Sequence, residues 1–134
     1  MTREGVESGA VWIGVGFAPV WVGVGFASRT HPGVLAAAVR AVADELGTTL
    51  AGLSTLAHKA PALDAVAREL GVPVRAFEAA ELAAVETESR SARADAAVGT
   101  PSVAEAAAIL ASGGGRVVRA AHIRDGVVVA AAVE

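Results

Sequence analysis

Residues 20–47 read VWVGVGFASRTHPGVLAAAVRAVADELG and join a strand pattern directly to a helix pattern. The opening residues are valine, tryptophan and glycine without a charge, which is typical of a short buried strand. From Leu35 to Leu46 apolar residues recur every three or four positions, which predicts a helix. Thr30 is expected to cap this helix, and Gly47 to end it in the left-handed conformation. A strand that leads straight into a helix indicates an α/β fold.

The rest of the chain continues this alternation and ends in a pair of strands. We predict strands at 53–58 and 72–77 around a helix at 61–71, then a short helix at 79–85. The polar residues 86–98 are expected to form either a surface loop or a frayed helix, and a further helix runs from Thr100 to the glycines at 113–115. Asp125 and Gly126 then separate two apolar runs, which is a strong hairpin signal. The predicted fold is a single three-layer α/β/α domain with a mixed, largely parallel sheet and a C-terminal β-hairpin.

The uncharged stretch 8–28 is long enough for a membrane helix of about 20 residues. Its five glycines and Pro19 disfavour a helix in water, and no cluster of Lys or Arg flanks it. The stretch instead contains a repeat, VWIGVGFAP at 11–19 and VWVGVGFAS at 20–28, with seven of nine positions identical. Each copy is short and rich in strand-forming residues, so a repeated strand is the preferred interpretation.

The second copy runs into the first helix and is predicted as the first strand of the domain. We therefore divide the chain into an N-terminal leader, residues 1–19, and a domain, residues 20–134. The first copy is expected to be either a disordered extension or an extra edge strand, and the sequence leaves both open.

The composition excludes several classes of protein. With 134 residues the chain has the length of one domain. It contains no cysteine, so disulfides, thiolate nucleophiles and cysteine metal sites are excluded. Lys and Arg number 11 against 14 Asp and Glu, and aromatic residues are 4%, so nucleic acid is not an expected partner. We expect a cytoplasmic protein with no metal, no cofactor and no membrane partner.

Ligands of parallel α/β sheets bind beyond the carboxyl ends of the strands. That rule selects the loops 26–32, 57–61 and 98–102. The last of these opens a helix, whose free N–H groups and dipole attract anions. Since these loops also carry cationic side chains, the predicted site suits an anionic ligand. The predicted ligand-binding residues are Gly25, Ser28, Arg29, His31, His58, Lys59, Gly99, Thr100 and Ser102.

Other roles for these residues remain open. Thr100 and Ser102 serve only as helix caps if no ligand binds there. The sequence from Gly23 to Ser28 matches a dinucleotide-binding fingerprint except at its third glycine. Close packing of a strand against a helix explains the glycines without any nucleotide.

The histidines and one acidic residue are the remaining candidates for chemistry. His31, His58 and His122 do not have the spacing of a metal site, so each is either an acid/base group or a simple structural histidine. Glu105 lies one turn into the last predicted helix, where it either interacts with the helix dipole or faces a ligand. No catalytic residue can be assigned from the sequence.

Four segments stand in the order found in one known family. They are VWVGVGFASRT, LSTLAHKAPALDAVARELGVPVRAF, AAELAAV, and VGTPSVAEAAAIL with its glycine-rich stop. Together they resemble the CobE and CbiG C-terminal-domain family of cobalamin (vitamin B12) biosynthesis over residues 20–133. The sequence departs from the family at Phe26, where the family usually has cysteine, and at Arg119, His122 and Arg124, where it usually has lysines.

The resemblance implies a role in building the corrin ring. The family occurs as the C-terminal half of CbiG, which opens a ring lactone of a cobalt-precorrin and releases acetaldehyde, and as the stand-alone CobE protein. Because this chain has no room for the CbiG N-terminal domain, we expect the stand-alone form or one component of a split CbiG-like cobalt-precorrin 5A hydrolase. Precorrins and corrinoids are large, flat and edged with carboxylates, which fits the cations and N–H groups of the three loops.

These observations leave several functions to distinguish. The protein either binds a precorrin or corrinoid and passes it to other cobalamin-biosynthesis enzymes, or hydrolyses such an intermediate with His31 or His58 as acid/base group. A nucleotide-binding module is a third hypothesis. Self-association into a homo-oligomer, through alanine-rich helices and two exposed tryptophan-containing segments, is a fourth.

Overall fold

The computed structural model describes residues 18–85 and 100–134. For residues 100–102 it describes the backbone but not the side chains. In chain order the elements are β1 (Val20–Gly25), α1 (Pro32–Leu46), β2 (Leu50–Leu56), a 3₁₀ turn (Ala57–Lys59), α2 (Ala60–Leu70), β3 (Val74–Phe77), α3 (Ala79–Ala83), α4 (Thr100–Ala111), β4 (Arg116–Arg124) and β5 (Val127–Val133). The predicted order of strands and helices is confirmed. The polar loop at 86–98 and most of the leader lie outside the described residues, so the boundary at residue 20 stays a prediction.

The strands form one mixed sheet in the order β3-β2-β1-β5-β4. β1, β2 and β3 are parallel, whereas β5 runs antiparallel to both of its neighbours, β1 and β4. In the turn between β4 and β5, Asp125 (φ 51°) and Gly126 (φ 81°) both have positive φ, as a type I′ hairpin requires. The predicted mixed, largely parallel sheet with a C-terminal hairpin is therefore confirmed.

The central strand β1 is buried on both faces by different helices. Val20, Val22 and Val24 have no exposed surface and pack in one core cluster with Leu35 of α1 and Leu63 of α2. α3 and α4 cover the opposite face. The predicted three-layer arrangement follows from this, because each face of a largely parallel sheet must be covered by helices. Within residues 18–85 and 100–134, no helix combines the length and the apolar character that a membrane span requires.

α4 lies so close to β1 that Gly23 has no room for a side chain. A Cβ atom on Gly23 would stand 1.9 Å from the carbonyl oxygen of Ala104. This approach is possible because α4 presents small, fully buried residues, among them Ala104, Ala107 and Ala108. The packing explanation of this glycine is thus the one that the structure supports.

The start of α1 differs from the prediction. His31, not Thr30, is the N-cap, and its Nδ1 accepts a hydrogen bond of 2.9 Å from the backbone N–H of Gly33. Thr30 belongs to the preceding turn, where its N–H donates to the carbonyl of Ala27 at 3.0 Å. Because of that turn, the helix begins one residue later than predicted. The predicted end at Gly47 is confirmed, since this residue has φ 66°.

The second strand is displaced from its predicted position at 53–58. It spans Leu50–Leu56, because its parallel pairing with β1 already begins opposite Val20. Residues Ala57–Lys59 form a 3₁₀ turn that leads directly into α2, so His58 lies after the strand rather than within it.

Trp21 is buried rather than exposed, which corrects the prediction of two exposed tryptophan-containing segments. Its side chain covers β2 at Gly52, where a Cβ atom would lie 2.2 Å from the indole ring. The guanidinium of Arg75 stacks over the same ring, 4.3 Å from the ring centre, and donates to the carbonyl of Ala111 at the end of α4. Trp21 therefore helps to join the sheet to α4, while Trp12 lies outside the described residues.

Candidate functional site

Two of the three predicted loops meet at the carboxyl edge of the sheet. β1 and β2 are parallel neighbours, so the loop after Gly25 and the 3₁₀ turn after Leu56 leave the sheet side by side. Gly25 itself is the buried last residue of β1 and pairs with Val128 of β5. The predicted convergence of these loops is therefore present.

Lys59 joins the two loops directly. Its Nζ donates a 2.8 Å hydrogen bond to the carbonyl of Phe26 and a 3.2 Å hydrogen bond to the Oγ of Ser28. The same ammonium stands 5.3 Å from the ring centre of Phe26, within the range of a cation–π interaction. The sequence predicts Lys59 as a ligand-binding cation of this site, and that role stays a prediction. In the structure the side chain is partly buried and points toward the loop after β1 (residues 26–31, the β1 loop), so its observed contacts fix the shape of that loop.

The β1 loop presents exposed side chains around the ammonium of Lys59. Ser28 and Arg29 are exposed, and the turn that holds them is closed by the hydrogen bond from Thr30 to Ala27. His58 is also exposed, on the 3₁₀ turn next to Lys59. Arg29 is thus the cationic side chain of this loop that is available to an anionic ligand.

His31 has a defined hydrogen-bonding state in this arrangement. Because Nδ1 accepts the hydrogen bond from Gly33, that nitrogen carries no proton, and the ring proton of the neutral imidazole sits on Nε2. The residue is exposed, at the boundary between the β1 loop and α1. The single N–H of this imidazole, at Nε2, can donate a hydrogen bond to a carboxylate. The cap was not predicted, although a polar residue just before Pro32 is a signal that could have indicated it.

The N-terminus of α4 reaches the same edge of the sheet from the other face. Ala104, in the first turns of α4, contacts Gly23 in the second half of β1. Beyond the other end of α4, Gly115 lies against Val133, at the amino edge of β1. α4 therefore runs antiparallel to β1, and its first N–H groups and positive dipole end lie at the carboxyl edge.

The predicted residues on the third loop are only partly described. Thr100 is the first residue of α4 and Ser102 lies in its first turn, but their side chains fall outside the description. Gly99 lies outside the described residues altogether. Their roles as ligands or caps therefore stay predictions.

Glu105 is buried between α4 and β4. The residue is 1% exposed, and its carboxylate accepts a 2.8 Å hydrogen bond from the backbone N–H of Ala121 in β4. The pairing of β4 with β5 is irregular between Arg119 and His122, so Ala121 lies where regular ladder bonds are interrupted. Glu105 thus supplies an acceptor to the backbone of β4, a structural role that sequence reasoning missed because nothing in the sequence marked an irregularity of that strand.

Three basic residues of β4, Arg119, His122 and Arg124, are also engaged within the protein. Arg119 pairs with Glu45 of α1 at 2.7 Å, and Arg124 binds the second oxygen of the same carboxylate. Arg124 also donates through Nε to Nε2 of His122 at 3.1 Å. These residues link the edge strand to α1 and take no part in the edge formed by the loops after β1 and β2.

The described residues contain no metal centre, and an open groove lies away from this edge. In the part of the chain that the structure describes, no three His, Asp or Glu side chains stand close enough together to hold a metal ion. An open groove of about 440 Å³ between α2 and β3 is lined by Asp64, Ala67, Arg68, Val72 and Val74. It contains none of the predicted site residues, so the carboxyl edge remains the candidate site.

The family described as "Cobalamin synthesis G C-terminus" matches residues 20–132, most of the chain. The chain belongs to this family. It is accordingly a cobalamin biosynthesis protein of the CobE/CbiG group. No curated protein sequence matches the chain significantly.

Solved structures of this CobE/CbiG group have the same fold. The cobalamin biosynthesis protein chiG from Agrobacterium tumefaciens is 32% identical, with 85% of this chain and 97% of that chain covered and a TM-score of 0.68. CobE, a protein from the cobalamin biosynthetic pathway, is 27% identical, with 85% of this chain and 89% of that chain covered and a TM-score of 0.66.

A more distant likeness concerns the fold alone. A cobalamin biosynthesis protein G homologue from Sulfolobus solfataricus is 16% identical and has a TM-score of 0.68. The alignment covers 87% of this chain and 37% of that longer chain. The α/β/α arrangement of the CobE/CbiG domain is thus retained at low sequence identity.

Proposed function

We propose that the protein binds a carboxylate-rich precorrin or corrinoid intermediate at the carboxyl edge of β1 and β2. The observation that carries the proposal is the pair of hydrogen bonds from Lys59 to Phe26 and Ser28, which holds two loops together. A loop that is fixed before the ligand arrives loses less conformational entropy on binding. Membership of a cobalamin biosynthesis family supplies the class of ligand.

The chemistry of the rim suits the edge of such a macrocycle. Arg29 offers a guanidinium, which binds carboxylates in a bidentate manner, and His31 offers its Nε2–H. The first N–H groups of α4 lie at the same edge and are favourable to a negative charge. The net charge of the protein is −3, so attraction of a polyanion depends on this local arrangement and not on the overall charge.

A spectroscopic titration tests the proposal. Hydrogenobyrinic acid is added to the full chain, and the shift of its visible bands gives a Kd. Arg29→Ala should raise the Kd about tenfold, because a charge-assisted hydrogen bond is lost. Arg40→Ala is the matched control, since Arg40 is an exposed arginine of α1 that pairs with Glu69. Unchanged affinity in Arg29→Ala would refute the proposal that Arg29 binds a carboxylate of the ligand.

His31→Asn separates binding from the capping role. Asparagine is a good N-cap, so α1 keeps its first turn, but the donor at the position of Nε2 is lost because the amide does not reach as far as the imidazole. We expect weaker binding with unchanged thermal stability. If His31→Asn and the wild type bind equally, His31 is a cap and does not touch the ligand.

A turnover assay distinguishes binding from hydrolysis. The protein is incubated at substoichiometric concentration with a cobalt-precorrin, and the product is examined by mass spectrometry. An unchanged ligand mass supports a binding and transfer role, whereas a changed mass under turnover would replace it by the hydrolase hypothesis. The cytoplasm stays the expected compartment for either role.

A further inference from the structure

Residues 11–19 repeat the sequence of residues 20–28, and only the second copy contributes to the site described above. The second copy provides β1 and the residues just after it. Seven of nine positions in the first copy are the same. The contacts of β1 show which residue types the fold requires at these positions. They therefore show whether the first copy could take the place of the second in the sheet.

Three requirements define the position that β1 occupies. The side chains of Val20, Val22 and Val24 must be apolar, since they are fully buried against α1 and α2. Position 23 must be glycine, because the backbone of Ala104 lies where a Cβ atom would be.

The side chain at position 21 has to cover the backbone of Gly52, and the indole ring of Trp21 does so. Arg75 then stacks on that ring. A smaller side chain at this position would leave Gly52 uncovered and remove the ring on which Arg75 stacks.

The first copy meets all of these requirements in register. Val11, Ile13 and Val15 stand where the buried valines stand, and only Ile13 differs, by one methylene group. Gly14 corresponds to Gly23, and Trp12 to Trp21. The hydrogen bonds of β1 to β2 and β5 are made by the backbone and do not depend on the side chains.

We propose that the two copies are interchangeable first strands, so that the chain can slide by nine residues and place 11–16 where 20–25 now lies. A shift by one residue would turn every apolar side chain to the wrong face, whereas a shift by a whole repeat preserves the inward and outward pattern. The second copy then becomes part of the connection to α1. Lengthening that connection costs little, because closure entropy grows only with the logarithm of loop length.

The exchange changes the candidate site, a consequence that rests on the proposed function. In the shifted register Phe17 replaces Phe26 beside Lys59, but Pro19 replaces Ser28 and offers no hydroxyl. Arg29 and His31 are carried nine residues further from the end of the strand. The two registers therefore share one core but differ in the anion site, with ligand binding favouring the register that the structure shows.

Matched glycine substitutions in the full chain test the exchange without any ligand. Gly23→Val excludes the second copy from the strand position, and Gly14→Val excludes the first. We expect Gly23→Val to remain folded with a modest loss of thermal stability, and Gly14→Val to melt like the wild type. The double variant should lose the folded state, seen by circular dichroism. A Gly23→Val protein as unfolded as the double variant overturns the proposal.

Tryptophan fluorescence identifies the strand that fills the position. In a Trp21→Phe background, adding Gly23→Val should shift the emission of Trp12 to the blue and reduce its quenching by acrylamide. In a Trp12→Phe background, the same substitution should expose Trp21. Unchanged emission of Trp12 would overturn the exchange even if the protein stays folded. A Gly23→Val protein that folds only as a dimer would overturn an exchange within one chain.

Binding is measured separately, so the two proposals can fail independently. If Gly23→Val folds through the first copy, its affinity for hydrogenobyrinic acid should be lost. A folded Gly23→Val protein that binds like the wild type refutes the role of register in the site but not the exchange. Absence of binding in the wild type refutes the proposed function and leaves the fluorescence result unaffected.

Discussion

The Nζ of Lys59 lies 2.8 Å from the carbonyl oxygen of Phe26, so a side chain that follows β2 holds the backbone that follows β1. This contact spans 33 residues of sequence and connects two loops that have no ladder hydrogen bonds to each other. It gives the carboxyl edge of the sheet a defined shape. The same ammonium is packed on the Phe26 ring, which restricts it further.

Lys59→Met should loosen the β1 loop while keeping the aliphatic part of the side chain. We expect a loss of about 1 kcal/mol in the free energy of unfolding. The reason is that the two hydrogen bonds donated by the Lys59 ammonium to Phe26 and Ser28 are removed. Amide hydrogen exchange should accelerate at residues 26–30 and not in the core of β1. Arg40→Met is the control, since it removes an exposed ion pair with Glu69 that contributes little. Equal exchange in both variants would show that Lys59 does not hold the loop.

Glu105→Ala should destabilise the protein by about 2 kcal/mol, since the N–H of Ala121 loses the carboxylate that accepts its hydrogen bond. Glu105→Gln retains an acceptor oxygen of similar shape and should recover part of this loss. Urea denaturation at one pH measures both variants. If alanine and glutamine are equally tolerated, the contact between α4 and β4 contributes nothing.

Gly52→Ala should cost about 1–3 kcal/mol, because the added methyl group would lie 2.2 Å from the indole of Trp21 and must displace it. The emission of Trp21 should change with the stability, which is measured in a Trp12→Phe background. Gly71→Ala is a useful comparison, since Gly71 has φ 72° but open space where a Cβ would stand. That variant should lose stability through backbone strain and leave the tryptophan emission unchanged.

Gly126→Ala should destabilise the β4–β5 hairpin by about 1 kcal/mol, because alanine disfavours the positive φ of 81° at this position. Asp125→Asn should be neutral or stabilising, since asparagine followed by glycine is preferred in type I′ turns. Thermal unfolding of the two variants checks the pair. An equal loss in both would indicate that Asp125 has a side-chain role in the turn.

The sequence predicted most of the elements because their signals are local. The apolar spacing of α1, the glycine after Leu46 and the pair Asp125–Gly126 each describe conformations decided within a few residues. The two wrong boundaries have different causes. His31 caps α1 because a local turn shifts the helix start, whereas the second strand starts early because its pairing with the distant strand β1 extends it to Leu50.

Residue types and their order were thus enough to determine an α/β/α domain of this family and to select the loops at the carboxyl edge. Only the tertiary structure decided what the charged groups in and near those loops do. Lys59 turned inward to Phe26, and Glu105 turned to the backbone of β4. The reason is physical: a periodic pattern fixes which face of an element is buried. The partner of a single polar group depends on which distant backbone atoms lack a hydrogen bond once the sheet has formed.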